Sequence, residues 1–241
     1  MANKIFKMEK KVQRHSPSVR FVHWSVAVST FVLIFSGFGQ MPMYARYYLD
    51  TLPGLWWSSD YSVTLPMHYI AAAVLMFAVG YHIVFHLMRK EFGILPRRGD
   101  IKESCQIIKA MLTNGEEPPS DKFLAEQRLA YVFIAFWFLV VIITGVIKVL
   151  KNLSSITFDG TFMVWTNDLH TFASFMIVFG IIAHLGAFIF KSNRPLIMSM
   201  FTGKIDLRYV KHRHSLWYER LQGASSKGCE SEDQFKEGAC R

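Results

Sequence analysis

Two histidines, His170 and His184, stand fourteen residues apart on one uncharged apolar run. At about 100° per residue, fourteen steps bring the second side chain within roughly 40° of the first, on the same helix face. A rise of about 1.5 Å per residue separates them by about 21 Å along the axis. Histidine in hydrocarbon is costly unless both ring nitrogens are satisfied. Two imidazoles on one stripe, one near each leaflet, suit two stacked iron porphyrins held between helices. Imidazole on both axial positions leaves the iron no open site, which favours electron transfer over oxygen chemistry.

Such a stripe needs spanning helices to carry it. The chain has 241 residues, is 51% apolar with 21 Phe, and only 19% of it is charged. Four long, nearly uncharged runs stand out at 21–38, 64–88, 129–149 and 169–190. Each approaches or exceeds the roughly 17–25 residues that a spanning helix requires. They are too long and too evenly apolar for barrel strands. The expected fold class is an all-α membrane protein, a bundle of four transmembrane helices. Its segments are a basic arm (1–20), a di-haem membrane domain (21–191), a basic and aromatic segment (192–222) and a disordered tail (223–241). Asp168 is expected just ahead of the fourth helix, where a carboxylate favours the N-terminus.

Charge orients the spans. Of 27 basic residues, all but Arg46, Lys148 and Lys151 fall before the first span, in the 89–128 loop or after residue 190. The positive-inside rule then puts both termini and the middle loop in the cytoplasm. The charges track helix ends and form no single patch, which argues against nucleic-acid binding. The first apolar run follows about twenty polar residues without a small-residue cleavage site, so it is expected to be an anchor and not a cleaved signal. The loop between the first two spans is rich in aromatics (Tyr44, Tyr47, Tyr48, Trp56, Trp57, Tyr61). Such residues suit the membrane interface, a docking surface for a partner outside, or both. Cys105, Cys229 and Cys240 form no C-x-x-C-H and no iron–sulfur cluster spacing, so a redox cofactor must be held by histidine.

Depth decides which histidines can meet. The first span is entered from inside, so His23 is cytoplasmic in depth. The second and fourth are entered from outside, so His68 and His170 are outer and His184 is inner. An outer pair, His68 with His170, and an inner pair, His23 with His184, follow. His82 lies fourteen residues after His68 and could replace His23 opposite His184; spacing alone leaves both plans open. His15, His212 and His214 sit in polar segments and are expected to be solvated. A haem-free anchor with a histidine proton relay is the competing class, weakened by the lack of acidic residues within the predicted spans.

Residues 16–24, Ser-Pro-Ser-Val-Arg-Phe-Val-His-Trp, resemble the Arg-x-x-His-Trp opening of the bacterial di-haem cytochrome b family that serves nickel hydrogenases and formate dehydrogenases. His23, His68, His170 and His184 match that family's haem ligands. The stretch 203–221, a Gly-Lys followed by a basic, His-rich run and Trp-Tyr, is similar to the end of formate dehydrogenase gamma subunits. The similarity covers roughly residues 14–222. It implies two haem b groups, with His23 rather than His82 paired with His184. It also implies an iron–sulfur subunit and a molybdenum or tungsten catalytic subunit on the outer side. Electrons would pass from the iron–sulfur subunit through two b haems to menaquinone or ubiquinone near the cytoplasmic face. Where gamma subunits often show Asn-x-Gly-Gln-Lys at the third helix, this chain has Leu124-Ala125-Glu126-Gln127-Arg128. Gln127 is the first candidate for a quinone contact, with Arg128, Lys122, Glu126 and His86 behind it. That departure leaves room for a relative serving another molybdenum enzyme, a thiosulfate, polysulfide or tetrathionate reductase with quinol oxidised instead; a cytochrome b of a nickel–iron hydrogenase is a further alternative.

Overall fold

A computed structural model describes residues 11–113, 115–153 and 156–223. The chain runs β1 (Lys11–Gln13), α1 (Pro17–Gly39), α2 (Pro42–Arg46), α3 (Tyr61–Arg89), α4 (Asp100–Thr113), α5 (Ala125–Lys151), α6 (Gly160–Gly186), α7 (Arg194–Thr202), β2 (Lys204–Asp206) and α8 (Leu207–Arg213). Residues 215–223 are helical as well. The four long helices are those that apolar length demands, and each is long and apolar enough to cross a membrane. Helix is dominant, as expected; the two three-residue strands are an addition.

Two compact units divide the chain. The first comprises Pro17–Phe92 and Val132–Gly186. Here all four long helices meet around Leu75, Phe138 and Ile177, with Val26, Leu33, Ile134, Trp137 and Ile181 packed against them. Outward-facing side chains such as Phe31, Phe77, Phe136 and Ile182 are apolar and more than half exposed, a surface that suits hydrocarbon. Hydroxyls on α1 do not disturb it. Ser29, Thr30 and Ser36 each donate to a carbonyl one turn back, at 2.7, 2.6 and 2.7 Å, which satisfies them without water. Asp60 caps α3, accepting from Ser62 N at 2.8 Å, and Lys90 ends it in the left-handed conformation.

The fourth helix starts nine residues before the expected 169. Asp159, and not Asp168, accepts from the first turn, its Oδ2 bonding Phe162 N at 3.1 Å. Asp168 lies inside α6 and is exposed. Thr161 to Asp168 is polar enough to read as loop, yet its apolar members continue the helical face that carries the buried Met163 and Thr166.

The second unit joins the chain up to Ser16, Gly93–Tyr131 and the chain from Ala187. β1 and β2 pair antiparallel with Val12 opposite Ile205. Leu196, Ile205, Val210 and Trp217 form its larger apolar cluster, and Ile107, Leu124 and Ala125 form another. Fixed ion pairs tie its segments together. Arg128 grips Asp100 with two bonds, Nη2 to Oδ1 at 2.6 Å and Nε to Oδ2 at 2.8 Å, both side chains 3% exposed. That fork holds the Asp100 carboxyl below its ordinary range. Arg213 bonds Glu117 at 2.8 Å and Asn193 at 2.6 Å. Cys105 is exposed and in no disulfide; Cys229, Cys240 and the tail from 224 lie outside the described residues.

Candidate haem ligand site

Two histidines in the membrane unit are oriented by matching devices. Ser36 spends its hydroxyl proton on Val32 O at 2.7 Å, so its oxygen can only accept from His68 Nδ1, 2.9 Å away. Thr144 likewise donates to Val140 O at 2.7 Å and accepts from His170 Nδ1 at 2.8 Å. In both rings the proton therefore sits on Nδ1, and Nε2 keeps its lone pair. A metal-binding imidazole needs this tautomer, and a second hydrogen bond commonly fixes it. A glycine follows each hydroxyl residue. A Cβ on Gly37 would come 3.4 Å from His68 Cε1, and one on Gly145 would come 3.4 Å from His170 Cε1. The backbone thus closes on the back of each ring, and two different helices present His68 and His170 in the same manner.

The second pair is brought together directly. The His23 and His184 ring centroids are 6.5 Å apart with 53° between planes. An octahedral metal with nitrogen bonds of about 2 Å on opposite sides asks for about 6 Å between imidazole centres. Trp24 packs edge-on against His23 at 5.2 Å, and His23 Nδ1 is buried with no hydrogen-bond partner among the described residues. The His82 ring lies 4.4 Å from that of His86, one turn along its own helix. His86 Nδ1 in turn meets Glu91 O at 2.9 Å.

No group of three or more His, Cys, Asp or Glu that could hold a metal occurs among the described residues. A metal offered only two imidazoles needs its remaining ligands from a cofactor, and a porphyrin supplies four in one plane. The donor set, the fixed Nε2 lone pairs and the 6.5 Å spacing fit haem. All four histidines stand out in the sequence; Ser36-Gly37 and Thr144-Gly145 do not, although their repeated hydroxyl–glycine pattern is a signal.

Of the quinone candidates, Gln127, Arg128, Lys122 and Glu126 lie in the second unit and His86 in the first. Gln127 is half-buried, its Oε1 accepting from Leu124 N at 3.2 Å and from Arg14 Nη2 at 3.4 Å. Both carboxylate oxygens of Glu126 are buried without a hydrogen-bond partner in any other described residue. Lys122 stacks on Phe123 and Trp217. Arg128 is no membrane-edge cation available to a ligand, since Asp100 and Phe123 O occupy it. His214, expected to be solvated, is fully buried. Its Nδ1 bonds Asp121 O at 2.6 Å, and burial with Arg14 and Arg213 nearby lowers its pKa to about 3.

Residues 14–203 match a family described as Prokaryotic cytochrome b561. The chain is also 25% identical over 211 residues to the cytochrome b556(Fdn) subunit of the nitrate-inducible formate dehydrogenase of Escherichia coli K12, covering 86% of this chain and 90% of the relative. The same subunits of Escherichia coli O157:H7 and Shigella flexneri match to the same extent.

Proposed function

The chain belongs to the prokaryotic cytochrome b561 family, and we propose that it is the membrane-anchoring di-haem cytochrome b subunit of a respiratory oxidoreductase of the formate dehydrogenase type. The observation that carries this proposal is the pairing of imidazoles from different helices, His23 with His184 at 6.5 Å and His68 and His170 held in one tautomer by matching hydroxyls. His68 and His170 would hold one haem b and His23 and His184 the other. Haem b supplies a reversible one-electron couple when bound. Ser36 and Thr144 would present the Nε2 lone pairs of His68 and His170 to the group, and the apolar walls of the bundle would keep water from it.

The partners are an iron–sulfur subunit and a molybdenum or tungsten catalytic subunit, bound outside the membrane. The loop between α1 and α3 supports such docking, since it exposes Tyr47, Tyr48 and Trp56 at 69–77%. In this proposal both termini are cytoplasmic and the membrane is the bacterial inner membrane, as the distribution of Lys and Arg supports. Electrons move from the outer partner to menaquinone or ubiquinone, which Gln127 meets at the start of the third span. Moving two electrons inward against roughly 150 mV stores about 7 kcal/mol.

Purification in mild detergent tests this. The account expects an iron–sulfur protein and a molybdenum- or tungsten-containing subunit to copurify, with a b-type spectrum reduced by formate. Nickel in the preparation would point to a hydrogenase, and a colourless chain would overturn the proposal.

A further inference from the structure

A chain of hydrogen bonds with a single allowed polarity ends at Gln127. It begins at the Asp121 carbonyl, which can only accept, so His214 Nδ1 carries a proton and donates to it at 2.6 Å. Neutral His214 then has a lone pair on Nε2, and Arg14 Nη1 lies 3.4 Å from it. Arginine has donors only. Its Nη2 points at Gln127 Oε1 at 3.4 Å, and Leu124 N donates to the same oxygen at 3.2 Å. A flipped amide would set its NH2 against two N–H donors, so the network decides the orientation. Arg14 itself is 3% exposed and lies between Phe123 and Trp217, 5.7 and 5.6 Å from the ring centres. Its backbone N bonds Gly203 O at 2.8 Å. Gln127 Nε2 has no hydrogen-bond partner among the described residues and is not sealed from its surroundings.

We infer that Arg14 is a positioning residue for quinone: it holds the Gln127 carboxamide so that its NH2 is a fixed outward donor to a quinone carbonyl oxygen. This rests on the proposal that quinone meets Gln127. The burial of a guanidinium beside neutral acceptors, with no carboxylate in ion-pair range among the described residues, is otherwise costly. Here it keeps Gln127 a donor whatever the pH, because neither arginine nor the amide titrates near neutrality. The signal in the sequence was faint, since Arg14 lies 113 residues from Gln127 and 200 from His214.

The test uses the intact complex in detergent, with decylubiquinol and menadiol as probes. The readouts are KM and kcat for haem reduction, and the reduced-minus-oxidised spectrum verifies assembly. Three variants are compared. Gln127→Ala removes the amide. Arg14→Met keeps the apolar stem and removes the donors. Gln127→Glu keeps an oxygen for Arg14 and Leu124 N but offers no outward donor. The inference expects all three to raise KM about tenfold, the effect of one lost hydrogen bond, with the haem spectrum unchanged. If Gln127→Ala raises KM while Gln127→Glu or assembled Arg14→Met does not, the positioning role is refuted and the quinone contact stands. If Gln127→Ala leaves KM unchanged, the quinone contact itself is wrong. Should Arg14→Met fail to assemble, Arg14→Lys takes its place under the same criterion, since one ammonium keeps the charge but cannot reproduce the guanidinium fork that reaches both His214 and Gln127.

Discussion

Replacing Thr144 by valine isolates what the second hydrogen bond does for His170. The two side chains have nearly the same volume, so packing around Gly145 and His170 is kept. The lost atom is the oxygen that accepts from His170 Nδ1 at 2.8 Å. The N–H then faces a methyl group inside an apolar bundle. An unsatisfied buried donor costs about 1–3 kcal/mol, and loss of an outer-shell partner typically lowers metal affinity about 10–100-fold. The two figures agree, since tenfold corresponds to about 1.4 kcal/mol. The haem held by His68 and His170 should therefore dissociate about 10–100-fold faster or bind that much more weakly, measured by transfer to excess apomyoglobin. Its midpoint potential should rise, because an imidazole that no longer donates from Nδ1 is a weaker base toward ferric iron. Thr144→Ser should restore both. Retention of affinity and potential in Thr144→Val would refute the idea that the threonine sets the tautomer.

Arg128→Met should cost about 3–5 kcal/mol by leaving Asp100 buried and unpaired; Arg128→Lys should recover only part of it, because an ammonium cannot reproduce the fork, as thermal denaturation would register. Gly39→Ala should reduce stability by at least about 1–3 kcal/mol, or abolish accumulation in membranes, because its Cβ would overlap the Ser58 carbonyl oxygen of the backbone. His214 is held neutral with its pKa pushed down to about 3. The unfolded chain takes up that proton below about 6.5, so folding stability falls as pH drops from about 6.5 toward 3, by up to about 1.4 kcal/mol per pH unit. Acid denaturation of His214→Gln should show a shallower slope across that window.

The four histidines were legible because an imidazole in an apolar span demands a reason, and their spacing supplied one. Their orientation was not. Ser36 and Thr144 look like ordinary back-bonded hydroxyls in a membrane helix, which they also are; only the fold brings His68 and His170 against them. The start of α6 was misjudged because Asn167 and Asp168 look like a loop, whereas Asp159 supplies the cap. His214 lies in a run of basic residues that suggested solvent. Its burial comes from partners 93 and 200 residues away, a tertiary fact with no local trace. Arg128 stood among the quinone candidates for a similar reason, its partner Asp100 lying 28 residues upstream.

The central claim is that two pairs of imidazoles hold two iron porphyrins. Haem per polypeptide, measured as the pyridine haemochrome against protein mass, tests it most directly in the parent chain and in His68→Ala and His184→Ala. The account predicts two in the parent and one in each variant, with His82→Ala retaining two. Fewer than two in the parent, or loss of a haem in His82→Ala with none lost in His23→Ala, would contradict it.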